Sequence, residues 1–242
     1  MLSHYDTDDA IIIRDLVDSD TISEMRQAVI ERAAWMRTFA RRALVKSFAG
    51  RDLPRQSESI LSDLTSADLN RHLDVILIAA DAYRNIGDTM AARRLYRDVV
   101  NRQPRGPLGD AGRLGIVASW EQEGDVTSAI VALHETKIHH SRPTTFEVAL
   151  TSERRLVAQY GVAPHGYTET QYRTLARRLR AASRFKLARE LIEDWRDSNT
   201  SEQHQDQIEA EWIATLYAQR ANEEGVTACQ EFYEAFPQST LL

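Results

Sequence analysis

The side chains able to do chemistry are few, and their spacing limits the chemistry open to them. HETKIHH runs from His134 to His140. A hydrolytic zinc helix places its second histidine four residues after the first, so that both imidazoles share one face. That position is Ile138 here, and His139 lies one residue, about 100°, further around a helix. Polar residues closing a helix before Arg142 and Pro143 are the expectation. RGPLGDAGRLG, Arg105 to Gly115, sets Gly106, Gly109, Gly112 and Gly115 three apart. No Gly-Lys-Ser/Thr follows and no strand precedes, so the run does not read as a phosphate cradle. Gly106 and Gly109 are expected in a turn, and Gly112 and Gly115 where a neighbouring helix comes close. Asp6, Asp8 and Asp9 lack the central glycine and closing glutamate of a calcium loop. Cys229, the single cysteine, falls at helical spacing with Phe232 and Phe236, the pattern of a buried thiol rather than a nucleophile. No G-x-S-x-G occurs. No catalytic residue, cofactor or metal ligand is nominated, and the expectation is a protein that is not an enzyme.

Bulk composition narrows the field further. The 242 residues can bury a real core, and 43% hydrophobic with 27% charged residues is an ordinary globular balance. A net charge of −6 does not suit a nucleic-acid or anionic-membrane binder. One cysteine forms no internal disulfide, so the fold must hold by packing. No stretch reaches the ~18 apolar residues of a membrane span. MLSHYDTDDAIIIRDL has neither the basic start nor the long apolar stretch of a secretory signal. With Met1 as the native start, the expectation is a cytoplasmic protein. As a segment of a longer precursor, the same chain would fit the periplasm.

The elements that must position any site are helices. Alternating apolar-polar runs are missing, and the run Ile11 to Ile13 is an isolated exception. Thr21 and Glu24 form a capping box that predicts a helix to about Gly50. Its apolar stripe is Met25, Val29, Met36, Phe39, Ala40 and Ala43, with Arg26, Arg37 and Arg41 on the far side. A short helix is expected around Ser59 to Leu64. From Ala67 the helices come in pairs. Ile76, Ala79, Ala80 and Tyr83 are followed by Gly87-Asp88, then Ala92 and Tyr96, then Pro104. A second copy has Ile116, Val117 and Trp120, Gly124-Asp125, then Ala129 and Leu133, with Arg113 at the first large position and Pro143 two residues late. A third has Tyr172, Leu175, Ala176 and Leu179, then Ala188 and Ile192; a fourth keeps Trp212, Ala228 and Phe232.

This pattern resembles the tetratricopeptide repeat, with its W-x2-L-G-x2-Y, A-x3-F and final proline. Small residues let paired helices approach, large ones fill the gap to the next pair, and a left-handed glycine closes the turn. The anchoring alanines fall at 92, 129, 188 and 228. The 59-residue gap between the second and third admits an extra helix, Thr145 to Tyr160, with Phe146, Ala149, Leu150, Leu156, Val157 and Tyr160 on one side. The predicted fold is all-α: a right-handed solenoid of tetratricopeptide-like pairs. An N-terminal helical cap (1–66) precedes two repeats (67–143), an extra helix and linker (144–166) and two degenerate repeats (167–242).

Such repeats hold peptides or helices of other proteins on a concave face lined by the first helix of each pair. Carried over, the repeat frame places Asp74, Leu77, Asp81 and Arg84 there, and later Arg173, Arg177 and Arg180. The three arginines share one helix stripe and would suit an acidic segment of a partner protein. The competing reading is a solvated face balanced by Glu190, Glu193 and Asp194 of the next helix. LARRLRAASRFKLARELIEDW and CQEFYEAFPQST also resemble the helical superhelix of soluble lytic transglycosylases. From RLVAQYG onward the chain is similar to the repeat tail of some bacterial esterases. Neither catalytic motif is present. The expectation is a non-enzymatic adaptor or scaffold for a protein segment; the alternative is an accessory module of a peptidoglycan-processing system.

Overall fold

The structure, a computed structural model, describes residues 19–51, 53–64, 66–199 and 204–241. The acidic start at Asp6 to Asp9, the Ile11–Ile13 run and the side chain of the Thr21 cap lie outside the described residues. Among the described residues every regular element is a helix and there is no strand. The helices are α1 Ser19–Ala49, α2 Pro54–Ser62, α3 Ser66–Arg71, α4 Leu73–Asn85, α5 Thr89–Arg102 and α6 Pro107–Glu123. They continue as α7 Val126–His139, α8 Pro143–Tyr160, α9 Glu169–Ala181, α10 Phe185–Ser198, α11 Gln205–Gln219 and α12 Asn222–Ala235. The chain divides into two compact units, Met1–Leu95 and Tyr96–Leu242.

One turn is used four times. Gly87, Gly124, Ser183 and Arg220 all have positive φ, at +86°, +78°, +58° and +63°. After each, the next amide donates to the carbonyl five residues back: Asp88 to Tyr83, Asp125 to Trp120, Arg184 to Leu179 and Ala221 to Leu216. The left-handed residue itself donates three residues back, to Arg84, Glu121, Arg180 and Tyr217 respectively. Together these two bonds satisfy the last carbonyls of the preceding helix and reverse the chain. In the first two turns the following aspartate caps the next helix, accepting from the amides of Ala91 and Ser128. The third and fourth turns spend a serine and an arginine where glycine would be relaxed.

Five residues after each left-handed position lie Ala92, Ala129, Ala188 and Gly225, the first three fully buried and the last buried. The first three are the predicted anchors. In the fourth copy the anchor is Gly225 rather than Ala228, which is only partly buried. The predicted frame was three residues out because it keyed on Phe232, a core residue that lies one helical turn further on.

In the first unit α1 packs on α2 and α4, and α2 and α3 also lie on α4. The apolar stripe predicted for α1 does not face this core. Met25, Val29, Met36 and Phe39 are exposed, as are Ala40 and Ala43, and Val45 and Ala49 are buried instead. Arg42 Nη2 lies 3.0 Å from Asp74 Oδ2 on α4, and Arg41 Nη1 donates to the Asp63 carbonyl at 3.0 Å. At the C-terminal end the docked face is therefore the one that carries Arg42, Val45 and Ala49, not the face of the predicted stripe.

In the second unit α6, α7 and α8 pack in succession, as do α9, α10, α11 and α12. Val117, Ala129, Ile130, Leu133, Ala149 and Leu156 form one core. Tyr172, Leu175, Leu179, Ile192 and Trp195 form another, which Phe146 of α8 joins. Each large side chain so buried contributes roughly 1.5–3 kcal/mol. A polar staple fixes how α8 begins. Asp110, fully buried near the start of α6, accepts from Ser141 N at 3.0 Å, Ser141 Oγ at 2.7 Å and Thr145 Oγ1 at 2.9 Å. Arg113 balances that carboxylate at 3.2 Å and also donates to the Pro104 carbonyl. Arg178 of α9 donates to the carbonyls of Ile138 (2.7 Å) and His140, closing the other side of the same connection.

Candidate binding site

A cavity of about 420 Å³ opens between α7, α8, the 161–168 connection and α10. Its walls are apolar, with Phe146, Leu150 and Val157 from α8 and Leu187 and Leu191 from α10. Its floor is charged. Lys137, only 1% exposed, projects from α7 and its Nζ pairs with Glu153 Oε2 from α8. Glu153 is itself 4% exposed. The lysine Nζ also lies 4.8 Å from the ring centroid of Tyr167, so its charge is met by a carboxylate and a π face.

This floor is incompletely satisfied. Glu153 Oε1 and Tyr167 Oη, both of lining residues, are buried and have no hydrogen-bond partner in the protein, and neither has the buried Nδ1 of His134, which is not part of the lining. The His134 ring is 4.8 Å from that of Tyr167 and 4.4 Å from that of His165. Buried polar atoms are almost always paired, because an unpaired one loses its hydration without replacement. Two such atoms, on Glu153 and Tyr167, belong to residues that line this cavity.

The environment sets the charge states. Burial, followed by the nearby His165 and Lys137, brings His134 down to about 4, so it is neutral near pH 7. Burial lowers Lys137 from its ordinary value, and Glu153 opposes that shift. Burial and then Glu153 push the Tyr167 phenol upward, keeping its proton in place as a donor. At the mouth, burial raises the Asp194 carboxyl against Arg154, with Asp197 and Glu190 adding to the rise. Arg154 is held by Glu190 at 2.9 Å. The charged side chains lining the cavity are thus Lys137 and Arg154 against Glu153, Glu190 and Asp194, with the Tyr167 phenol and the His165 imidazole beside them.

The residues nominated from the sequence lie elsewhere. On α4, Asp74 pairs with Arg42 and Lys46, Asp81 with Arg84 at 3.4 Å, and Leu77 is half-buried. On α9 the three arginines converge on one buried acid, Glu211 of α11. Arg180 reaches it at 2.6 Å, Arg177 at 3.1 Å and Arg173 at 3.8 Å. The acid that gathers the stripe is Glu211, two helices on, rather than Glu190, Glu193 or Asp194. Arg177 alone keeps a side chain that is 60% exposed.

Of the glycine run, Gly106 is in the turn, with φ +152°, whereas Gly109 is already helical. Gly112 and Gly115 meet Tyr96 as expected. Cys229 is half-buried, 3.7 Å from Tyr217 Oη. His134 and His140 are buried and His139 is exposed, so the HETKIHH stretch spreads around α7.

Lys137, Glu153, Tyr167 and Asp194 were not nominated from the sequence. A signal was present for two of them. Lys137 continues the buried Ala129–Leu133 row of α7, and Glu153 interrupts the Phe146–Ala149–Leu156 row of α8. A charge inside the apolar stripe of each of two consecutive helices points to a buried pair. Compared with family models, with curated proteins and with solved structures, the chain matches none.

Proposed function

We propose that this protein is a non-enzymatic adaptor that holds a segment of another protein, one side chain of which enters the cavity on Lys137 and Glu153. The observation that supports this reading is the cavity itself: about 420 Å³, apolar on its walls, with unpaired polar atoms on its floor. Sites that anchor a ligand combine an apolar enclosure with a few convergent polar groups that fix orientation. One deep, desolvated anchor contact carries most of the affinity in many protein interfaces. The four repeated turns suit the tetratricopeptide-like architecture on which the adaptor reading was built. The acidic segment expected from the arginine stripe retains Arg177 as its exposed contact.

Ala158→Trp is the test. Ala158 is exposed at the cavity rim, so an indole there can lie over the mouth without entering the core. Wild type and variant are used as baits in matched lysates, with a photo-reactive side chain at position 158 mapping whatever binds. A protein segment that cross-links at this rim, and whose capture drops at least tenfold with Ala158→Trp, supports the reading. Equal capture by both baits overturns it.

A further inference from the structure

We infer that the cavity takes a cation: an alkylammonium or guanidinium head carried on an unbranched aliphatic stem. This rests on the reading of the cavity as a binding site and specifies its ligand. The charge balance is the first argument. Lining the cavity, Lys137 and Arg154 face three carboxylates, Glu153, Glu190 and Asp194. Arg154 is held by Glu190, which Lys186 also approaches at 4.0 Å, and Lys137 by Glu153, which leaves Asp194 at the mouth with no cation at ion-pair distance among the described residues. The second argument is independent of the first. Glu153 is 4% exposed, lines the cavity, and its Oε1 accepts no hydrogen bond from the protein. A buried carboxylate oxygen asks for a donor, and an N⁺–H donor forms the strongest such bond.

The walls supply the rest. Between the mouth and the floor the cavity is lined by Leu150, Val157, Leu187 and Leu191, an apolar surface that a chain of methylenes would cover. An anionic head fits badly. It would approach Asp194 and the open oxygen of Glu153, and the ammonium of Lys137 is already engaged on two sides. The same chemistry could arrive as a lysine or arginine of a partner segment or as a free amine.

The full-length protein is titrated with n-pentylamine, agmatine, n-pentanoate and n-pentanol, followed by amide chemical shifts around 137, 153, 167 and 194. Two capped pentapeptides, one with a central lysine and one with a central glutamate among glycines, are titrated alongside. The amines should bind with a Kd on the order of millimolar, and at least fivefold more tightly than pentanoate or pentanol. Asp194→Asn, at an exposed rim position, should weaken amine binding several-fold while leaving the melting temperature in place. Glu153→Gln removes the charge beside the open oxygen but leaves Lys137 unpaired. Lys137→Met/Glu153→Met, which keeps the volume, is therefore the second floor variant, and it should also lose the preference for amines. A lysine peptide that binds more tightly than pentylamine identifies a protein segment as the source; amines that bind without the peptide identify a free amine. Pentanoate binding as well as the amines, or no response to any probe, overturns the inference. Neither result touches the capture experiment with Ala158→Trp, so the two readings fail separately.

Discussion

Cutting the Lys137–Glu153 pair is the perturbation whose size the structure states most directly. Both side chains are essentially removed from water, at 1% and 4% exposure, and each is the other's main compensation. Two unit charges about 4 Å apart attract by about 4 kcal/mol at an effective dielectric of 20. Removing one partner forfeits that attraction and strands the other charge, so Lys137→Met or Glu153→Gln should each cost about 3–5 kcal/mol. At about 2–4 °C per kcal/mol for a unit of this size, the melting temperature should fall by about 6–20 °C. Lys137→Met/Glu153→Met removes both charges at similar volume and should return to within about 1 kcal/mol of wild type. Urea unfolding at pH 7 measures this, followed by tryptophan fluorescence, since Trp120, Trp195 and Trp212 all lie in the second unit. The double mutant should then show a coupling of several kcal/mol between neighbours. If Lys137→Met alone costs under about 1 kcal/mol, or if the double mutant is as damaged as the sum of the singles, the pair is not a desolvated ion pair.

Four further outcomes follow from the packing and the titrating groups. Ala92 is fully buried, so Ala92→Leu should destabilise by roughly 1–3 kcal/mol; a change within about 0.5 kcal/mol, as at surface sites, would remove it from the core. A Cβ on Gly115 would fall 2.4 Å from the Tyr96 ring, so Gly115→Ala should lose stability despite a helix-propensity gain of about 1 kcal/mol. Gly109→Ala should lose more, because the opposing atom is the Gln103 backbone oxygen at 1.9 Å, and a stabilised Gly109→Ala in thermal melts would contradict that approach. His134 and His140 are both lowered to about 4 by burial, so they fold neutral and take up protons on unfolding. Their contribution is intact above about pH 6.5 and is lost as pH falls toward 4, by up to about 3 kcal/mol each at 1.36 kcal/mol per pKa unit. Urea midpoints at pH 7, 6 and 5 should drop in wild type and drop less in His134→Gln and His140→Asn.

What the sequence by itself determined is what rests on neighbours along the chain. Helical periodicity, the turns at Gly87-Asp88 and Gly124-Asp125, and the anchors Ala92, Ala129 and Ala188 depend on residues within one turn or hairpin of each other. Local backbone sterics and side-chain spacing suffice to specify them. Gly112 and Gly115 were legible for the same reason, because three-residue spacing puts them on one face and a missing Cβ is visible in the residue type. Tertiary structure decided the rest. The α1 stripe at Met25, Val29 and Met36 is exposed because that helix is held through Arg41, Arg42, Val45 and Ala49 by partners distant in sequence. The spacing of Arg173, Arg177 and Arg180 is visible in the sequence, but only α11, which brings Glu211 against them, determines what they meet. The cavity needed three helices and a connection to exist at all. Burial, and with it the shifted acid strengths of Lys137 and Asp194, is a property of the space between elements, and no single segment encodes it.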